Sequence, residues 1–497
     1  MLSKMHEQLH RDLQQFIPGS RLVSDPLRTL AYGTDASLYR LIPQLVVRVE
    51  NEAEMQRILG LAHTHSTPVT FRAAGTSLSG QAVTDSVLLQ LGEGWRNWRI
   101  GDEAATISLQ PGIIGGHANG YLAPYQRKIG PDPASINTCW IGGIAANNAS
   151  GMCCGIAQNS YQTLKTMRVM LADGAVLDTG DPASREAFRA SHGPLLAQLA
   201  QLGQRTRTDA VLAERIRTKF KIKNTCGYSL NALVDYEDPF EILQHLMIGS
   251  EGTLGFIAEI TYHTVEEHSH KATALMIFPE IKTACEAVAV LKNQPVAAVE
   301  LMDRASIRSV ENKAGMPAYF KELPEAATAL LVETRAQNPV NLTAQVAVIT
   351  DSIAAMPTLF PFQFTDRPEE FTQLWAIRQG LFPSVGSARA TGTTVIIEDV
   401  AVPVPQLAAM ALDLQRLFDK HGYTGSIIFG HALEGNLHFV ITPDFSKPAE
   451  TQRYKQFMAD VCGMIVHQYD GSLKAEHGTG RNIAPFVELE WGRQAYQ

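Results

Sequence analysis

Cysteine is scarce in this chain, with six residues in 497. That density excludes a disulfide framework, and the spacing excludes an iron–sulfur motif. Positive charge is in deficit: 42 Lys and Arg stand against 50 Asp and Glu, a net charge of −8. With no overall basic footprint, nucleic-acid binding is not expected. No stretch is both long and apolar enough for a membrane span. The first residues, MLSKMHEQLHRDLQQF, are charged throughout and do not read as a secretory signal. The longest run without Asp, Glu, Lys or Arg covers residues 133–164, but Gly, Asn, Ser and Thr fill it. A cytoplasmic protein is expected, with peripheral attachment to the inner membrane face left open. Hydrophobic residues at 45% and charged residues at 19% exclude a disordered chain. At about 150 residues per domain, the length allows two or three domains.

Periodicity divides the chain. Residues 44–49 (QLVVRV) read as a strand. Residues 52–65 follow as an amphipathic helix with Met55, Ile58, Leu59 and Ala62 on one face. A second strand at 68–71 runs into a glycine turn at 74–80, and a third spans 86–91. Residues 164–170 and 176–178 flank Ala172-Asp173-Gly174 as a hairpin. Beyond about residue 266, helices alternate with apolar strands, the pattern of an α+β unit with an antiparallel sheet. Boundaries near 265 and 424 give segments 1–265, 266–424 and 425–497.

Three glycine-rich stretches need a purpose. Gly75 and Gly80 have phosphate-loop spacing, but Gln81 and Ala82 stand where a Walker A loop needs Lys and Ser or Thr. No G-x-G-x-x-G is present here, so a Rossmann site is not supported. The turn still offers backbone N–H groups and hydroxyls to a diphosphate. Gly142-Gly143-Ile144-Ala145-Ala146-Asn147-Asn148-Ala149-Ser150-Gly151 follows Pro131-Asp132-Pro133-Ala134-Ser135. Its small residues allow close backbone approach, and its amides and hydroxyls suit a flat polar heterocycle. Gly249-Ser250-Glu251-Gly252-Thr253-Leu254-Gly255 is the third stretch. Tight packing with no ligand is the bland alternative for each.

The C-terminal part carries a different chemistry. Gly430-His431-Ala432-Leu433-Glu434-Gly435-Asn436-Leu437-His438 reads as strand, turn, strand, which brings His431 and His438 together across a hairpin. Two imidazoles so placed suit a divalent metal, with Glu476-His477 offering the third ligand. The adjacent Cys153-Cys154 is poorly suited to a simple disulfide and reads as part of the cradle.

These pieces, in this order, resemble the flavoprotein family of vanillyl-alcohol oxidase and p-cresol methylhydroxylase, in its D-lactate and D-2-hydroxyglutarate dehydrogenase branch. The resemblance covers nearly the whole chain. It implies a two-part FAD-binding domain, an α+β cap domain with an antiparallel sheet, and a short C-terminal segment. FAD would lie on Arg72, Ala74, Gly75, Thr76, Ser77 and Leu78. Its other contacts would be Pro131, Asp132, Ser135, Thr138, Gly142, Gly143, Ala145, Asn147, Asn148, Ser150, Gly151, Gly155, Glu251, Gly252 and Ile257. The stretches G-H-x-x-x-G-N-x-H and E-H-G-x-G are similar to the family's metal and base motifs. By that likeness His431, His438 and Glu476 hold a metal, usually zinc, and His477 is the catalytic base. Trp375-Ala376-Ile377-Arg378 resembles the W-x-x-R element, which makes Arg378 the substrate-carboxylate partner.

Three departures matter. Ala73-Ala74-Gly75 replaces three glycines, and Glu434 replaces a frequent Asp. Ile397-Glu398-Asp399 stands where D-2-hydroxyglutarate dehydrogenases tend to have Lys-Tyr-Asp. Losing that Lys tilts the expectation toward D-lactate over D-2-hydroxyglutarate. The resemblance implies electrons passed to a quinone, a cytochrome or an iron–sulfur partner, and it leaves room for a homodimer. Relatives continue past the E-H-G motif, and the long ones add an iron–sulfur domain. The stop at Gln497 and the few cysteines therefore read as a truncated or split version. The competing readings are a covalent-flavin alcohol or sugar oxidase, a non-catalytic fragment or subunit, and a metal-dependent hydrolase without flavin.

Overall fold

The computed structural model describes residues 2–313 and 316–497. Three sheets organise them. In the first, Leu45–Val49, Val87–Leu91 and Val69–Arg72 lie parallel, with Val47, Leu89 and Phe71 in register. Sequences such as LVVRV, apolar on both faces, suit parallel strands covered on both sides. The helix Glu52–Thr64 makes the crossover. Asn51 caps it by accepting from Glu54 N at 3.0 Å, and Met55, Ile58, Leu59 and Ala62 are buried as the spacing predicts.

The second sheet is antiparallel and built around Phe256–Glu266. This long strand pairs with Thr106–Leu109, Leu164–Met170 and Arg127–Ile129. The hairpin expected after residue 164 is present as Leu164–Met170 against Val176–Asp178.

The third sheet has six antiparallel strands. Their order is His270–Phe278, Thr328–Ala336, Ala298–Met302, Ile427–His431, Asn436–Ile441, Ile396–Ala401. Apolar side chains go to both faces. Along Thr328–Ala336, Leu330 and Val332 join the core under the helices Ile281–Leu291, Pro339–Ile353, Leu407–His421 and Pro448–Tyr469. Ala329 and Leu331 join the opposite core with Ile307, Ile377 and Leu381. That alternation is the period of two that places one layer on each face. The whole is the expected α+β architecture.

Two expectations need correction. Residues 425–497 are not a layer of their own, because the strands Ile427–His431 and Asn436–Ile441 sit inside the third sheet. Their side chains can be buried only with strands from residues 270–401 on either side. Within residues 131–151, read as loops, Ile141–Asn147 forms a helix. Ile141, Ile144 and Ala145 give it a buried face, and Asn148 ends it in the left-handed conformation. Among the described residues, no helix is long and apolar enough to cross a membrane.

Gly435 closes the hairpin carrying His431 and His438. Its φ is +64°, and a Cβ there would press into the Val402 carbonyl oxygen. Gly435→Ala is therefore expected to cost about 2 kcal/mol or more, read as a lower unfolding midpoint in urea. An unchanged midpoint would show that the turn relaxes freely.

Candidate flavin cavity and metal cluster

The glycine stretches converge on one cavity of about 440 Å³. The first loop contributes Arg72, Ala74, Gly75, Thr76, Ser77 and Leu78 to its wall. Ser135, Gly142, Gly143, Asn147 and Ser150 come from the second, and Glu251, Gly252 and Ile257 from the third. Glu476 and His477 line the same cavity.

The other residues picked from the sequence frame this wall from behind. The Asp132 carboxylate accepts from Cys153 N at 3.0 Å and Cys154 N at 3.1 Å. Asn148 Oδ1 accepts from Tyr161 N at 3.2 Å, and Thr138 Oγ1 donates to Ser135 O at 3.0 Å. The carbonyl of Ala145 accepts from Gly249 N, and that of Gly151 accepts from Lys223 Nζ at 2.9 Å. Pro131 is buried, and Gly155 packs beside Glu434.

The wall suits FAD. Among its described residues, Arg72 is the sole lysine or arginine, and its guanidinium already donates to Ala82 O at 2.9 Å and Tyr32 O at 3.0 Å. A diphosphate here would rely on backbone N–H groups and hydroxyls of residues 75–79. Of these, Gly75, Thr76, Ser77 and Leu78 line the cavity. Sequence reasoning missed Phe71, Trp140 and Phe256, and also Phe382, which arrives from the cap helix Leu381–Ala388. Their side chains look like ordinary core residues until the chain folds.

Beside this cavity lies the histidine cluster. Strand register explains it. His431 pairs with Glu300, Phe429 with His438, and His438 with Asp399. Directly paired side chains share a face, and Phe429 and His431 are two apart on one strand, so the pairs Glu300–His431 and His438–Asp399 lie on the same face, on neighbouring rungs. The segment after the Ala401–Ser472 bridge lowers Glu476 onto this face. Glu476 Oε1 lies 3.0 Å from His431 Nε2 and 3.4 Å from His438 Nε2. One ligand atom from each of these three residues lies within 4.8 Å of the others. Two imidazoles and a carboxylate are a donor set for zinc or a similar divalent ion. His431 Nδ1 meets Glu300 Oε1 at 2.7 Å, leaving Nε2 for a ligand role.

The carboxylates of this cluster are paired with three cations. Arg378 Nε donates to Glu300 Oε2 at 2.6 Å, and the guanidinium lies over Phe429 at 4.5 Å. Lys223 Nζ donates to Glu476 Oε2 at 2.7 Å. Lys474 Nζ lies 2.5 Å from Glu398 and 3.5 Å from Asp399. Burial alone would raise the Glu476 carboxyl, but His431 and Lys223 hold it well below the usual range. Burial pushes the His438 imidazole far down, which favours its neutral, ligating form. Lys223, Glu300 and Lys474 had no sequence signal, because their partners lie 76 to 253 positions away.

Glu251 behaves oppositely. Burial against the cavity wall pushes its carboxyl from 4.5 up to about 8, with Asn147 Nδ2 donating to it at 2.8 Å. The unfolded chain releases this proton near pH 4.5 while the folded chain keeps it, so this group costs stability as pH rises through that window to about 8. Relative to the parent, Glu251→Gln is expected to gain about 4 °C or more in Tm between pH 5 and pH 8.5. A pH-independent difference would refute the neutral buried acid.

Comparison with known proteins fits this geometry. Family models match residues 43–180 as an FAD binding domain and residues 267–497 as the C-terminal domain of FAD linked oxidases. The chain is 27% identical to the D-lactate dehydrogenase (cytochrome), mitochondrial, of Arabidopsis thaliana, covering 92% of this chain and 70% of that protein. It is 26% identical to the glycolate oxidase subunit GlcD of Bacillus subtilis, covering 93% of this chain and 86% of that one. In fold it is similar to substrate-bound p-cresol methylhydroxylase, with a TM-score of 0.70, 11% identity, and coverage of 100% of this chain and 93% of the other. Residues 43–180 thus match an FAD binding domain and residues 267–497 the C-terminal domain of FAD linked oxidases, and the glycine loops of the first meet the second at one cavity.

Proposed function

We propose that this flavoprotein oxidises D-2-hydroxy acids to 2-oxo acids, with D-lactate as the first candidate substrate. One observation carries the reading: Glu476 and His477 open into the flavin cavity and, from the same short segment, reach the two-histidine pair. The names of the relatives favour the same substrate class. When bound, FAD supplies the hydride acceptor, and a divalent ion at His431, His438 and Glu476 supplies polarisation of the substrate hydroxyl.

The chain's own residues do the rest. Arg378 is the proposed partner of the substrate carboxylate, with its Nε held by Glu300. His477 accepts the hydroxyl proton at Nε2. Gln81 Nε2 donates to His477 O at 3.1 Å, which fixes the base segment to the first flavin loop. Phe382 and the apolar cap around it keep water from the reacting atoms. Lys474 is fully buried and shared by Glu398 and Asp399, so it is no free partner for a second substrate carboxylate. Ile397 packs into the apolar cluster. Both features favour D-lactate over D-2-hydroxyglutarate. The proposed electron acceptor is a quinone, a cytochrome or an iron–sulfur partner.

The purified protein, supplied with FAD and zinc, is to be assayed with a dye acceptor against D-lactate, D-2-hydroxyglutarate, glycolate and L-lactate. Flavin absorption and preference for D-lactate are expected. His477→Ala is expected to lose about 100-fold or more in kcat. A colourless protein, or preference for L-lactate, would overturn the reading.

A further inference from the structure

We propose that Asp399 is a positioning residue for His477, holding its Nδ1–H so that Nε2 is free toward the flavin cavity. This rests on His477 being the proton acceptor. Asp399 is fully buried on the strand Ile396–Ala401. One oxygen, Oδ2, accepts from Glu476 N at 2.7 Å, which ties the acid to the residue just before the base. The other, Oδ1, lies 3.2 Å from His477 Nδ1. Neither Asp399 Oδ1 nor His477 Nδ1 has a well-aligned hydrogen bond to any other group, although both are buried. Two buried polar atoms this close, with complementary character, complete one another after a small ring rotation. A carboxylate at Nδ1 selects the tautomer with its lone pair on Nε2, the atom a general base needs.

A second metal site is the competing use of these atoms. One ligand atom each from Asp399, His438 and His477 does lie within 4.8 Å of the others. Two features oppose it. Lys474 Nζ stands 3.5 Å from Asp399 Oδ1, so an ammonium already occupies the position that a cation would take. The rings of His438 and His477 stack with centroids 5.0 Å apart at 16°. They present faces to each other, whereas coordination needs in-plane lone pairs. Lys474, shared with Glu398 at 2.5 Å, holds Asp399 in place by a contact of 3.5 Å.

A mutant cycle on the FAD- and zinc-loaded enzyme tests this, using anaerobic flavin reduction by D-lactate. Asp399→Asn is expected to lower kcat by about 100-fold with KM changed less than about threefold. Asp399→Glu recovers about tenfold of that loss. In a His477→Ala background, Asp399→Asn adds less than about twofold, because the acid acts through the absent imidazole. Nitrogen NMR of histidine-labelled protein gives a readout independent of turnover. It should show His477 protonated at Nδ1 in the parent and at Nε2 in Asp399→Asn. Losses that multiply in the double variant, kcat within about threefold of the parent, or loss of one metal equivalent in Asp399→Asn would each overturn the proposal. Full turnover by His477→Ala would overturn the base assignment itself, which separates the two failures.

Discussion

Glu476 governs this site because it is a buried anion that must satisfy several neighbours at once. One oxygen faces both imidazoles, and the other accepts from Lys223. Isolated, such a charge would not stay ionised out of water. Lys223 also donates to the carbonyl of Gly151, in the stretch that follows the Ile141–Asn147 helix. A single ammonium therefore ties the cavity wall to the carboxylate of the histidine cluster. The cavity and the cluster are held in one frame by that pairing, not by apolar contact alone.

Around this centre, charge is matched locally. Glu300 has Arg378, Glu476 has Lys223, and Glu398 and Asp399 share Lys474. The two imidazoles differ: burial holds His438 in its neutral, ligating form, whereas at His431 the carboxylates of Glu300 and Glu476 outweigh burial and raise the ring above its ordinary value. The flavin wall is built on the opposite plan, with amides, hydroxyls and a neutral Glu251. A charged cluster and a cradle whose one described cation is Arg72 meet at Glu476 and His477.

The sequence carried the local part of this design. Glycine spacing, the two histidines about a Glu-Gly-Asn turn, and E-H-G are short patterns, and they fold where their spacing says. The helix Ile141–Asn147 was obscured because Gly142 and Gly143 read as breakers, and tertiary burial of Ile141 and Ile144 overrides that weak propensity. Glu300, Lys223 and Asp399 were illegible for another reason. Their roles come from strand register and from partners far along the chain, and no local pattern records either. The division near residue 424 failed similarly, since a texture change in sequence carries no information about which strands pair.

The placing of these four side chains on one face of the third sheet has a consequence for folding. Because side chains alternate with period two, a slip of one residue between Ile427–His431 and Asn436–Ile441 would turn His438 to the far face and dismantle the donor set. Only the native pairing presents both imidazoles together. A divalent ion would therefore bind the correctly registered sheet and not its slipped competitors. By mass action it would draw the population of cap domains toward the one alignment that can do the chemistry.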